Sequence, residues 1–369
     1  MKIGIDARPL HWPGIGRHIR ELIKHLSLID NKNEYYIYFS SQTNINNNRF
    51  DNRNFHPVLL SVGVYTISEQ MSLPLRIIKD RLDIYHSPSS LVVPMIHPCK
   101  LVITVHDLML KLNPQFIPSV LASIYFNIMN WWALRSADKL ITVSEFTSNE
   151  IISLYPDYKR KITVIHNGVS GLFMPANDPE KIKRIKAGVG IKADYILYLG
   201  TYKKHKNLIA LVKAYSELPE DIKDGHQLLI IGKRDVRYPE VPDMVRELRL
   251  ENRVVFRDYI EDSDLPTLYS GADLFVLPSV YEGFGLPVIE AMACGTPVVA
   301  SRIPVLSEIT GGSALLVDPH NIQEMKDSIC KILSDKQLSE SLSEKGLQQA
   351  KRFSWFEAAE KVKEIYESL

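Results

Sequence analysis

Three cysteines in 369 residues is few, and Cys99, Cys294 and Cys330 are an odd, widely spaced set. That excludes a disulfide framework and a paired metal site, and it makes a reducing cytoplasm the expected home. No His/Cys spacing suggests zinc. Charge of one sign is also lacking. The chain has 44 lysines and arginines against 43 acidic residues, a net +1, so the molecule as a whole carries no nucleic-acid signature. No apolar run reaches the length of a membrane span. The opening Lys2-Ile3-Gly4-Ile5-Asp6 reads as a strand and not as a charged segment before an apolar secretory core, so membrane contact is expected to be peripheral at most. Low-complexity segments are absent. What is present, 45% hydrophobic and 24% charged residues, suffices for two globular domains, each with its own core.

Apolar runs of strand length alternate with helix-period segments from end to end, the pattern of parallel sheets covered on both faces. Strands are expected near Lys2–Asp6, Tyr35–Phe39, Asp83–His86, Lys100–Val105, Lys139–Val143 and Ile162–Ile165. Helices are expected over Arg17–Leu28, Glu69–Asp80, Ser119–Ser136 and Glu145–Leu154. After a polar stretch with Pro175 and Pro179 the pattern restarts at Tyr195–Gly200, Gln227–Gly232, Arg253–Phe256, Asp273–Leu277, Pro297–Ala300 and Ala314–Val317. Two doubly wound α/β domains with a linker near residues 168–180 follow. An internal echo accompanies the division: Ala137-Asp138 and Ala272-Asp273 each precede five mainly apolar residues and then Ser144 or Ser279. Both read as buried strands ending where such sheets bind ligands. The halves differ in charge. Residues 1–170 hold 18 lysines and arginines against 13 acidic residues (+5), and the remainder 26 against 30 (−4). The first half therefore suits an anionic partner such as a phosphorylated acceptor or lipid headgroups, although an excess this small is also ordinary.

The densest chemistry lies in Tyr281-Glu282-Gly283-Phe284-Gly285-Leu286-Pro287-Val288-Ile289-Glu290-Ala291-Met292-Ala293-Cys294-Gly295. Pro287 in a first turn and Gly295 at a stop predict a short helix between them. Its N-terminus would offer backbone N–H groups and a positive dipole end to a phosphate or diphosphate. Glu290 lies about one turn inside, where a carboxylate can accept from both hydroxyls of a ribose. Glu282 sits on the preceding loop, where Gly283 and Gly285 let a ligand approach the backbone. Either carboxylate alone reads as a solvated glutamate. The pair, with seven residues between them that include Gly-Phe-Gly and Pro, resembles the signature of glycosyltransferase family 4, retaining enzymes of the GT-B fold.

The resemblance extends over nearly the whole chain. It takes in Lys2-Ile3-Gly4-Ile5-Asp6-Ala7-Arg8-Pro9 with Gly14-Ile15-Gly16-Arg17, Thr104-Val105-His106-Asp107-Leu108, Val143-Ser144-Glu145-Phe146-Thr147, His166-Asn167-Gly168-Val169 and Lys206-Asn207-Leu208. It implies two Rossmann-like domains facing across a cleft: residues 1–170 on the acceptor side, 171–352 binding the nucleotide sugar, and 353–369 as a last helix crossing back to the first domain. Glu290 would hold the ribose and Glu282 the donor sugar. Backbone groups of Gly283, Phe284, Gly285 and Leu286 would approach sugar and distal phosphate. A lone histidine such as His106 is more often structural, but the matching Thr104–Asp107 segment implies that it bonds the donor sugar. Asp107 would touch substrate, orient His106 or cap the following turn.

Gly14-Ile15-Gly16 lacks the third glycine of a dinucleotide fingerprint; the resemblance makes Gly16 a backbone contact near the diphosphate and acceptor, with Gly14 and Arg17 on the acceptor side. Arg17, His18, Arg20, Lys24 and His25 would put a basic face on that helix, and a solvated surface reading fits them equally. Lys206 matches a lysine that neutralises the leaving diphosphate, with Gly200, Thr201 and Asn207 beside it on the donor. A second cation found in many relatives is replaced here by Thr201 and His205, which leaves Lys203 or Lys204 as substitutes. Asp262-Ser263-Asp264 matches a metal-holding motif of another glycosyltransferase fold, but it precedes Leu265-Pro266 and more simply supplies Ser263 or Asp264 as a helix cap.

The expected reaction is transfer of a glycosyl unit from a nucleoside diphosphate sugar to a hydroxyl with retention, needing neither metal nor organic cofactor. The opening strand and Val143–Thr147 most resemble the mannosyltransferase branch, which favours GDP-mannose; UDP-glucose, UDP-N-acetylglucosamine and UDP-galactose stay open. The acceptor would be a polysaccharide or lipid-linked oligosaccharide. An epimerase or phosphorylase on the same architecture is the alternative. An NAD-dependent dehydrogenase is disfavoured by the incomplete glycine motif, and a non-catalytic subunit by the intact glutamate pair. Finally, Ser119–Leu134 contains no charge, and Val120, Leu121, Ile124, Tyr125, Phe126, Ile128, Met129, Trp131, Trp132 and Leu134 cover more than one helical face. Neighbouring helices, a second copy of the chain, or the membrane interface assisted by Arg17, Arg20 and Lys24 would cover the remainder.

Overall fold

The computed structural model describes residues 1–48, 52–113, 119–235 and 238–369, with the side chains of Val120 and Leu121 excepted. The chain divides into a first unit, Met1–Gly168 with Ser354–Leu369, and a second, Val169–Phe353.

Seven parallel strands are described in the first unit: β1 (Lys2–Asp6), β2 (Glu34–Phe39), β3 (Phe55–Leu59), β4 (Ile84–Ser87), β5 (Lys100–Val105), β6 (Lys139–Thr142) and β7 (Ile162–Val164), in the order β3-β2-β1-β4-β5-β6-β7. Helices cover both faces, which is why the central strands carry unbroken apolar runs. On one face Ile19, Leu22, Ile23 and Leu26 of the Ile15–Ile29 helix pack with Trp355, Ala359, Val362 and Tyr366 of the final Trp355–Glu367 helix. On the other, Leu73 and Ile77 of the Ile67–Asp80 helix pack with Ala133 and Leu134 of the Val120–Ser136 helix and with Ile151.

The second unit repeats the plan with β8 (Asp194–Leu199), β9 (His226–Ile231), β10 (Val254–Arg257), β11 (Leu274–Leu277), β12 (Val298–Ser301) and β13 (Leu315–Val317), all parallel, in the order β10-β9-β8-β11-β12-β13. In each sheet the first strand lies inside and the strand order reverses beside it, between β1 and β4 and between β8 and β11.

These twelve strands other than β3 fall within a residue or two of the sequence expectation. β3 was not anticipated, because Pro57 removes a ladder donor and argues against a strand. It is tolerated because β3 is an edge, paired with β2 alone. The predicted linker is shortened by the helix Pro179–Gly188, which Asp178 caps by accepting from Lys181 N–H. The echo between the halves has a physical basis. Asp138 donates its N–H to Leu101 O (2.8 Å) and accepts the Leu101 N–H on its carboxylate (2.9 Å). Asp273 makes the same two bonds with Tyr195 (3.1 and 3.1 Å), and Asp83 with Lys2 (2.8 and 2.7 Å). Each aspartate latches the amino end of one strand to its neighbour.

A buried ionic network holds the carboxyl end of β1. Arg8 Nη2 lies 2.6 Å from both Asp6 Oδ2 and Glu69 Oε1, and Tyr85 Oη donates to Asp6 Oδ2 at 2.6 Å. Arg8 is 1% exposed. Burial opposes its charge, but Asp6 and Glu69 outweigh that and raise its pKa further. The second oxygen of Glu69 accepts the Tyr65 N–H at 2.8 Å, where the backbone sits at φ +65°, a left-handed conformation uncommon for an aromatic residue. Removing one partner of such a network leaves a buried charge uncompensated. Glu69→Ala is therefore expected to destabilise the first unit by about 3 kcal/mol or more. Urea unfolding followed by tryptophan fluorescence measures it directly, because Trp12, Trp131, Trp132 and Trp355 all lie in that unit; a loss below about 1 kcal/mol would show the network to be dispensable.

Candidate functional site

In the second unit the two strands beside the reversal of order, β8 and β11, send their loops to one place. Val280 N–H donates to His205 O at 2.8 Å and ties the loops together. Lys206, after β8, donates Nζ to both oxygens of Glu282 at 2.8 and 2.9 Å, and Ser279, just after β11, donates Oγ to Glu282 Oε1 at 2.7 Å. The pair keeps 18% and 11% exposure, so a ligand can reach it. A carboxylate has about four lone-pair sites and an ammonium three N–H bonds. Glu282 therefore retains room for a hydroxyl, and Lys206 one N–H beyond those it gives Glu282. Ser279 was not proposed from the sequence as a site residue, though its place in the internal echo marked it.

The helix after this loop runs Leu286–Ala293, as Pro287 and Gly295 predict. Gly285 begins it at φ +100°, and a Cβ there would lie 2.7 Å from Leu306. The expected array of N–H groups is smaller than the sequence suggested, since Pro287 has none and Val288 N–H closes on Gly285 O at 2.9 Å. The amides of Gly285 and Leu286 and the helix dipole are what this end offers an anion. Phe284 packs its ring edge to face on Phe353 at 5.8 Å, leaving its backbone on the loop beside half-buried Gly283. Glu290, 1% exposed, receives Tyr269 Oη at 3.1 Å.

His205 cannot stand in for the second phosphate cation: it is buried, and burial followed by the neighbouring Lys206 pushes its pKa down to about 4, so it is neutral. Lys203 and Lys204 are exposed on the same loop, beyond Gly200 and half-buried Thr201. The Asn207 side-chain amide is committed to Pro278 O (3.0 Å) and Pro319 O (2.7 Å), with its backbone at φ +57°, so it braces the loops. Asp264 occupies the N-cap of Leu265–Ser270, but its side chain makes no capping bond.

In the first unit, Gly14 opens the Ile15–Ile29 helix at φ +76°, with half-buried Arg17 in its first turn. Gly16 is needed for packing: a Cβ would fall 2.0 Å from Leu10 O. Its N–H donates to Trp12 O at 2.8 Å. His18 does not belong to a basic face. It turns into the core at 5% exposure, with Nδ1 2.7 Å from Asn167 Oδ1. His106 follows β5 directly, its ring edge to face with His18 at 4.8 Å, and its Nε2 is buried without a partner among the described residues. Asp107 is exposed and accepts the Met109 N–H at 2.9 Å, just ahead of the short Met109–Leu112 helix.

Residues 12–170 match the family described as Glycosyltransferase Family 4, and residues 179–349 match Glycosyl transferases group 1. The chain is 30% identical to O-antigen chain mannosyltransferase B of Escherichia coli over 372 residues, covering 96% of each chain. It is 31% identical to O-antigen chain mannosyltransferase RfbU of Salmonella typhimurium over 242 residues, covering 65% of this chain and 62% of that one. Among solved structures, HepE of Anabaena in complex with UDP and glucose superposes with a TM-score of 0.81 at 20% identity over all of both chains. WaaG, a glycosyltransferase involved in lipopolysaccharide biosynthesis, superposes at 0.77 and 14% over 99% of both. The fold is thus the GT-B fold of these enzymes.

The buried histidines make the first unit sensitive to acid. Burial pushes His18 down to about 4 and His86 down to about 3, and holds His106 well below its ordinary value. The unfolded chain takes up these protons near pH 6.5 and the folded one does not. Stability is therefore full above about pH 6.5 and falls as the pH drops toward 4, by up to about 1.4 kcal/mol per pH unit for each histidine. Urea midpoints read by tryptophan fluorescence at pH 7.5 and 5.0 should show this loss, and His86→Gln should flatten it.

Proposed function

The chain is a member of glycosyltransferase family 4, and from that premise we propose that it transfers mannose from GDP-mannose, with retention, to a hydroxyl of an O-antigen-type polysaccharide or lipid-linked oligosaccharide. The choice of mannose and of this acceptor class is supported by the names of the two O-antigen relatives. The observation that carries the chemistry is the Lys206–Glu282 pair with Ser279, a cation and a carboxylate held in one place beside a helix N-terminus.

In this reading Glu290 receives the ribose hydroxyls and Glu282 a hydroxyl of the sugar. Lys206 and the Gly285–Leu286 backbone face the diphosphate. The bond from the anomeric carbon to the phosphate oxygen breaks, and the acceptor oxygen bonds the same face of that carbon. The acceptor proton passes to the departing phosphate oxygen. Charge gathers on the diphosphate in the transition state, where a fixed ammonium stabilises it without reorganisation. No metal is required for that step.

Thermal shifts with GDP and UDP identify the base, and a transfer assay with GDP-mannose tests the reaction. Glu290→Ala should raise the donor KM roughly tenfold to a hundredfold, from loss of charge-assisted bonds worth about 1.5–3 kcal/mol. Lys206→Ala should lower the rate about a hundredfold or more, while EDTA leaves most activity intact. Consumption of GDP-mannose only with added phosphate, or its conversion without an acceptor, would instead favour a phosphorylase or an epimerase.

The acceptor class also bears on an apolar surface of the first unit. Among the described residues no helix is long and apolar enough to cross a membrane. Ile124, Ile128 and Trp131 nevertheless stand 44–53% exposed at helical spacing, with Tyr125 beside them, and Ile67, Met71, Leu75 and Ile78 form a second exposed stripe. Tyr65, one residue before the Thr66 cap of the Ile67–Asp80 helix, touches Phe126 at 6.0 Å and joins the two stripes. This face suits peripheral attachment to the inner surface of a membrane bearing the acceptor. Arg17, Arg20 and Lys24 do not assist it as expected, because their helix packs on the opposite face of the sheet. The flanking cation is Arg135, 5.5 Å over the Trp131 ring. The protein should sediment with anionic phospholipid vesicles, and Ile128→Ser with Trp131→Ser should abolish that while Arg20→Glu leaves it unchanged. A wild-type protein that stays in the supernatant at low salt would dispose of the membrane face.

A further inference from the structure

The Val120–Ser136 helix is apolar over most of its length, yet two asparagines, poor helix formers, sit within it three residues apart and so on one face. That face, with Phe126 one turn before Asn130, meets the loops after β4 and β5 and the short Met109–Leu112 helix. Together they surround a cavity of about 40 Å³ lined by Ser90, Asp107, Lys111, Phe126, Asn127 and Asn130. Asn127 is held from both sides, donating Nδ2 to Ser123 O and accepting Lys111 Nζ on Oδ1, each at 2.8 Å. Asn130 is not held. It is 9% exposed, its side chain makes no hydrogen bond among the described residues, and its Oδ1 is buried outright. Buried Ser90 likewise makes no side-chain hydrogen bond among the described residues. Native folds seldom leave a buried amide unpaired, and here the unpaired groups line one space.

We infer that this cavity receives a hydroxymethyl group of the acceptor glycan, its oxygen bonding the Asn130 amide and the Ser90 hydroxyl while the pyranose ring rests outside on Phe126. The inference rests on the transferase reading and names acceptor-binding residues for it. Size and charge select the ligand. The volume exceeds the roughly 10–15 Å³ that one water needs and is far too small for a sugar ring, so only a small projecting group enters. Asp107 and Lys111 supply one charge of each sign, which leaves no net charge to attract a phosphate. An alcohol both donates and accepts, as an amide beside a hydroxyl requires. From Phe126 a row of half-buried rings continues through Tyr65 to Trp12, with centroids 6.0 and 5.6 Å apart, and offers apolar surface to the C–H side of a sugar. The acceptor fits better than the donor for two reasons. The donor's diphosphate is assigned to the charged groups of the second unit, and the same helix turns Ile124, Ile128 and Trp131 to the surface along which a lipid-linked acceptor would lie.

Asn130→Leu keeps the size of the side chain, suits a helix better and removes both hydrogen-bonding groups. Because Asn130 has no side-chain partner among the described residues, Tm should hold or rise. The KM for an acceptor ending in a hexose should rise about tenfold, while that for GDP-mannose stays within twofold. An acceptor whose terminal sugar is 6-deoxy lacks the oxygen in question, so wild type and variant should use it with equal KM. An acceptor KM within twofold of wild type would show that the cavity holds water alone, and a raised donor KM in its place would show the wrong substrate. Either result overturns the proposal and leaves the transferase reading intact. Binding is measured without transfer. In 15N-asparagine-labelled wild-type protein the Asn130 side-chain amide resonances should move on adding methyl α-mannoside and stay in place with methyl 6-deoxy-α-mannoside. An amide indifferent to both sugars, or equally responsive to both, would overturn the site even in a protein that transfers nothing; the selective shift in such a protein would keep the sugar site while the transferase reading fell.

Discussion

A parallel strand covered by helices on both faces has nowhere to keep a polar side chain except at its ends, and nearly all the chemistry of this protein follows from that constraint. The two ends are used differently. At the amino ends Asp83, Asp138 and Asp273 spend their carboxylates on the backbone of the next strand, which sets register and leaves little for a ligand. At the carboxyl ends the polar groups point into loops. Asp6 closes β1, His86 and Ser87 close β4, His106 follows β5, Lys206 lies beyond β8, and Ser279 and Glu282 follow β11. Both sheets reverse strand order beside their first strand, the place where doubly wound sheets take their ligands. The Lys206–Glu282 pair forms at that place in the second sheet.

Much of this was legible in the sequence because the constraint writes itself as alternation. Unbroken apolar runs marked every strand but β3, whose Pro57 hides it from any reading based on strand propensity and whose edge position makes the proline harmless. The glutamates and Lys206 were legible as residues, through spacing and resemblance, but not as an ion pair, because 76 positions separate Lys206 from Glu282 and only the sheet order brings their loops together. His18 was misread for the opposite reason. Its neighbours Arg17, Arg20 and Lys24 are basic, and a run of charge suggests a solvated face. Position within the helical period decides instead: His18 falls on the side of Ile15, Ile19 and Leu22 that turns toward the sheet, and its partner Asn167 lies 149 residues away.

The ion pair also bears on how charge is managed. An unpaired ammonium beside the helix N-terminus would place two positive features together, and a lone Glu282 would face the same positive end without a counter-charge of defined position. Paired, each fixes the other, and Ser279 fixes the carboxylate from a third direction, so the site is already arranged when a ligand arrives. The pair remains partly exposed, which keeps its intrinsic attraction modest.

The two units consequently offer ligands different things. The second concentrates fixed charge: one ammonium, two glutamates and a helix dipole, with His205 kept neutral beside them. The first keeps its cation Arg8 wholly engaged with Asp6 and Glu69, and its histidines are neutral through burial. Exposure separates the two sets: Lys206 and Glu282 keep 18% and 11%, whereas Arg8, Asp6 and Glu69 keep 1% or less. A charged ligand can therefore exchange its water for the first set, while the second serves only to hold β1 and the loop before the Ile67–Asp80 helix in place.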